Sequence, residues 1–153
     1  YYARYGTAGD AESHYKAAVK ASFQSAGVSN VDQSLSDYLK VFPYDNANYN
    51  KSIGIAKWVA LSGTNNFEAW CEMRRLNFPT FGAVKGDSFY DSAKDVMNIS
   101  KYVPGTLYTP IMVYGSVGDN KILERYPYAE HSSARNSNVP NFPGYTSPVF
   151  WGK

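Results

Sequence analysis

Few side chains in this chain are suited to acid–base or nucleophilic chemistry. The two imidazoles are His14 and His131, and His131 is followed at once by Ser132 and Ser133, the base and hydroxyl a serine hydrolase would use. A triad needs base, nucleophile and orienting acid to converge from separate elements, which adjacency along one chain does not supply. No nucleophile-elbow motif accompanies them. Asp87, Asp91 and Asp95 recur every four residues, so on a helix their carboxylates would share one face. A glycosidase pair instead flanks a cleft with one member desolvated, and the segment reads as exposed or irregular. Cys71 and the two histidines are too far apart in sequence for a zinc pattern. Asn46, Asn48 and Asn50 lack the glycine and distal glutamate of a calcium loop. Calcium held by backbone carbonyls stays open, but no cofactor is indicated. No catalytic residue is assigned, and the chain reads as a non-enzyme.

Binding chemistry is better represented. The chain carries 14 Tyr, 8 Phe and 3 Trp, and a tyrosine outside a core offers flat apolar area with a polar tip, a surface suited to sugars or peptides. The stretch from Ala83 to Tyr114 lacks a clear apolar period and holds Phe89, Tyr90, Tyr102, Tyr108 and Tyr114 among polar residues. These five are the candidate ligand-binding residues, on the expectation that rings on loops form a stacking platform over a rigid scaffold. Arg74 and Arg75 close a predicted helix, where cations are favoured. Arg74 shares a face with Trp70 four residues back, so both arginines are expected to be structural, with Arg stacking on Trp and reaching a carboxylate or the last helical carbonyls.

The scaffold is legible as helices. Between Asp10 and Ala26, the residues Tyr15, Ala18, Val19, Ser22 and Ala26 recur at three- and four-residue steps, giving a small-residue stripe on a helix that Gly27 ends. Glu12 and Lys16 form a favourable four-residue pair. Val31, Leu35, Tyr38, Leu39 and Phe42 mark a shorter helix stopped by Pro43. Lys51 to Leu61 is apolar nearly all round, which predicts a helix at the centre of the core. After Gly63, Asn65 with Glu68 three residues on resembles a capping box, opening a fourth helix that Pro79 ends. These last two helices form a short-linked hairpin, in which Trp58 and Trp70 are expected in the core as an inter-helical pair. Beyond Phe81 the helical signal fades. Tyr108 to Leu123 reads as a small β-hairpin around Gly118, Asp119 and Asn120, and Tyr126 to Lys153 as an irregular tail.

The division expected is a helical core over 1–81, a variable loop region over 82–124 and a C-terminal tail over 125–153. The charge of +2 comes from 15 basic and 13 acidic residues without a basic run, so nucleic acid is not an expected partner. No stretch reaches the roughly 18 apolar residues of a membrane helix. The opening Tyr1 to Gly6 reads as a start in mid-fold.

Three groups of residues together resemble the SusD/RagB family, specifically the C-terminal portion of a SusD-like protein. The first runs from Gly9, Asp10, Ala11 and Glu12 through His14 and Tyr15 to Ala21, Ser22 and Phe23. The second is Lys57 and Trp58 followed by Trp70, Arg74, Arg75 and Pro79. The third is Arg125, Tyr126 and Pro127, with Tyr128, Glu130 and Asn136 and the closing Pro148, Val149, Phe150 and Trp151. Ala56 and Gly152 depart from the family's usual glutamine and aspartate.

The resemblance implies a mostly α fold with long irregular loops, whose tetratricopeptide-like N-terminal half and lipidated cysteine lie outside this chain. It implies a surface-exposed lipoprotein of the outer membrane that captures oligosaccharide, or peptide in some systems, as the lid of a SusC-like TonB-dependent β-barrel transporter. A ligand-free structural or adhesive surface protein is the competing expectation from another class.

Overall fold

The computed structural model describes residues 1–85, 90–91, 96–97, 103–109, 115, 117–118 and 121–149. The chain divides into two units, Tyr1–Pro79 and Thr80–Lys153, and it is mostly helical. Among the described residues no helix is long and apolar enough to cross a membrane.

The first unit is built of helices α1 (Tyr2–Tyr5), α2 (Ala8–Ser25), α3 (Val31–Val41), α4 (Tyr49–Leu61) and α5 (Asn66–Leu76). Each of the three helices α2, α3 and α5 begins where a side chain accepts an otherwise orphaned backbone N–H. Thr7 Oγ1 accepts from Asp10 N at 3.2 Å, Asn30 Oδ1 from Gln33 N at 3.4 Å and Asn65 Oδ1 from Glu68 N at 3.2 Å. A cap of this kind contributes about 1 kcal/mol. The capping box expected at Asn65 is only half formed, because the Asn65 N–H donates to Leu61 O at 2.8 Å instead of to Glu68. The tight turn between α4 and α5 offers that carbonyl first. At the far end of α2, Gly27 takes φ +73°. Gly27 N donates to Gln24 O and Val28 N to Phe23 O, the paired bonds of a Schellman motif.

The stripe on α2 buries Ala11, Tyr15 and Val19. α5 buries Ala69, Met73 and Leu76 on its apolar face. α4 departs from its expected place. Ser52, Gly54 and Ile55 are buried, but Val59 is 61% exposed, so only one side of this helix belongs to the core. A helix apolar all round needs neighbours on every side, and α5 and the C-terminal approach of Phe78 cover only part of it. At Gly54 a Cβ would stand 2.8 Å from Phe78 Cβ and 3.0 Å from Phe78 O, so α4 meets the Phe78–Pro79 segment backbone to backbone.

The second unit holds two small sheets and a tail. β1 (Thr80–Lys85) pairs in parallel with β4 (Thr106–Thr109), Thr80 opposite Thr106 and Phe81 opposite Leu107. β2 (Tyr90–Asp91) pairs antiparallel with β3 (Val96–Met97). Of the hairpin expected over 108–123, residues 110–114, 116 and 119–120 lie outside the described residues. Tyr108 and Thr109 close β4 against β1, and 117–118 and 121–123 are not strand. A turn signal says where a chain bends, not which strand the residues before it find as a partner. Pro104 followed by Gly105 at φ +81°, with Thr106 N donating to Val103 O, makes the turn that launches β4. Among its described residues the tail is irregular except for α6 (Glu130–Arg135).

Replacing Gly54 by alanine sets a helix-propensity gain of about 1 kcal/mol against an overpacking cost of about 1–3 kcal/mol. Because the obstructing atoms are backbone and Cβ, the clash wins. Gly54→Ala is expected to lower the melting temperature by several degrees, while Gly9→Ala in α2, with nothing within 4 Å, leaves it unchanged or raised. Thermal melts of both variants test this, and equal behaviour would refute the close-approach argument.

Candidate functional site

Lys57 on α4 and Arg75 on α5 converge on one carboxylate, Glu72. Lys57 Nζ lies 2.7 Å from Glu72 Oε2, and Arg75 grips both oxygens, Nε to Oε1 at 2.8 Å and Nη2 to Oε2 at 2.6 Å. Glu72 is only 8% exposed, whereas its partners keep about half their side chains in water. The Arg75 hydrogen bonds, aided by Lys57 and opposed by burial, hold the Glu72 carboxyl down at about 2. A group that stays ionised at ordinary pH cannot serve as a general acid. It acts here as an ionic staple between two helices.

Arg74, beside Arg75 on α5, is used differently. It is buried to 8% exposure and its guanidinium lies 4.1 Å from the centroid of the Trp70 ring, while Phe67 flanks Trp70 at 5.6 Å. The expected Trp58–Trp70 pair is not among these ring contacts. Residues four apart on one helix are already neighbours, so Arg74 occupies the indole face. Trp58 and Trp70 are each half-buried, not core. Glu72 is the residue that sequence reasoning does not single out. Its signal is its place three residues before Arg75 on the predicted helix.

A second constellation lies between α1, α2, α3 and α4, a cavity of about 410 Å³. Its walls are the rings of Tyr2, His14, Tyr15, Phe23, Tyr38 and Tyr44, and small residues such as Ala11, Ala18 and Ala56 line the rest. His14 stacks on Tyr2 at 4.4 Å. Tyr15 Oη donates to Phe42 O at 3.1 Å and lies 3.4 Å from Tyr38 Oη. Having one proton, Tyr15 gives it to the carbonyl and accepts from Tyr38. Burial pushes both phenols up, so neither supplies a phenolate base. The size suits a ligand, and the lining is mostly apolar and half open to solvent, with few polar partners for a bound group.

In the second unit Arg125 ties the tail. Its Nε donates to Ser147 O at 2.9 Å and its Nη2 to Pro148 O, while Glu124 N and Arg125 N both donate to Tyr145 O. Pro127 follows Tyr126, whose side chain is 71% exposed. Pro79, the last residue of the first unit, follows Phe78 through a cis peptide bond. His131 is exposed on α6, and Ser133 Oγ donates to Glu130 O within the same turn, an internal helix bond and not a nucleophile–base pair. The Asp45 carboxylate is taken up locally, by Ala47 N, Asn48 N and Asn48 Nδ2. Among the described residues no three His, Cys, Asp or Glu side chains gather as metal ligands.

Of the five candidate ligand-binding rings, Phe89, Tyr102 and Tyr114 lie outside the described residues, as do Asp87 and Asp95. Tyr90 lies in β2 beside Asp91, and Tyr108 in β4. The backbone therefore mounts these two tyrosines on paired strands, not on a helix or an open loop.

Residues 2–102 match a family model named SusD-like and described as starch-binding and associating with the outer membrane. No curated protein and no solved structure matches the chain.

Because its folded-state carboxyl titrates near 2 against an ordinary 4.5, Glu72 adds stability that is full above the ordinary value and fades as pH falls toward the depressed one. Glu72→Gln is expected to cost about 2 kcal/mol near neutral pH. Its melting-temperature gap from the parent should stay constant at neutral pH and close progressively below 4.5. A gap that persists unchanged in acid would show that the ion pairs are not its cause. Tyr15→Phe removes the donor to Phe42 O and is expected to cost about 1 kcal/mol, read as a lower unfolding midpoint in urea. An unchanged midpoint would mean that carbonyl finds water instead.

Proposed function

The chain belongs to the SusD-like family, and from that premise we propose that it captures oligosaccharide at the outer-membrane surface and passes it to a SusC-like TonB-dependent β-barrel transporter. The observation that carries this reading is the match over residues 2–102, well over half of the chain, to a family described as starch-binding and associating with the outer membrane. The family description names binding. In this reading the protein has no catalytic step. It is a lipoprotein anchored through a cysteine other than Cys71, which sits part-buried within α5.

The platform in this proposal is the set Phe89, Tyr90, Tyr102, Tyr108 and Tyr114. A pyranose ring has an apolar C–H face that stacks on a phenol, while its hydroxyls stay in water or meet polar neighbours. Two features support placing the platform there and not in the helical cavity. The cavity's own lining offers a sugar few polar partners. Tyr90 and Tyr108 lie in strands held by ladder partners, Met97 opposite Tyr90 and β1 alongside β4, and rings on a fixed backbone lose little entropy on binding.

Calorimetric titration of the natural protein with a maltooligosaccharide tests the ligand class. Tyr90→Ala and Tyr108→Ala are each expected to weaken binding about three- to tenfold, the worth of one stacking ring, with unchanged melting temperature. Parental binding that both variants retain in full would remove the platform from these residues. Heat on addition of a protein digest but not of glycan would change the ligand to peptide. Gentle-detergent capture of the tagged natural protein from its own outer membranes tests delivery. A large β-barrel recovered in stoichiometric amount is expected, and its absence would overturn the transporter role.

A further inference from the structure

We draw no further inference here: the strongest candidate, the aromatic-walled cavity between α1, α2, α3 and α4, is an unpartnered apolar face with nothing in the structure to show what covers it.

Discussion

Glu72 is almost removed from water, at 8% exposure, and remains a full anion because two cations from two helices meet on it. Burying a lone carboxylate would cost several kcal/mol, which the bidentate Arg75, three residues on along the same helix, and Lys57 together offset. Lys57 is the partner that reaches Glu72 from the other helix, so a slide of α4 along α5 would give up the Lys57 contact while Arg75 stayed paired. The cation–π stacking of Arg74 on Trp70 lies on a different face of α5.

Close backbone approach is the second constraint on the helical unit. Gly54 lets α4 meet Phe78 at a separation no side chain could share, and the chain reaches that segment by turning through Asn77 in the left-handed region, φ 60°. The hairpin and the segment leaving it are thus held by one ionic and one steric condition. Apolar burial fills in around them through Ile55, Ala69, Met73 and Leu76.

Among the described side chains, several polar groups are fixed by their surroundings. The most perturbed carboxylate is locked in its ionised form, the buried phenols are pushed toward their neutral form, and Ser133 bonds within its own helical turn instead of to His131. None of these carboxyl and phenol groups is poised to exchange a proton near neutral pH. The helical cavity, for its part, has few polar partners to give.

The helices, their stops and the hairpin are readable because local rules set them. Apolar period, a side-chain cap and a glycine at the left-handed position act within a few residues of one another. Arg74 on Trp70 is readable for the same reason, since a four-residue step on a helix places them together. Local rules do not reach further. Lys57 and Glu72 lie 15 residues apart, and only the packing of α4 on α5 selects Glu72 as the shared anion. The half-exposed face of α4, the parallel partner of β4 and the Tyr15 bond to Phe42 O were likewise decided by which surfaces met in three dimensions. Periodicity determines which face of an element is apolar, and the tertiary structure decides how much of that face is covered and by what.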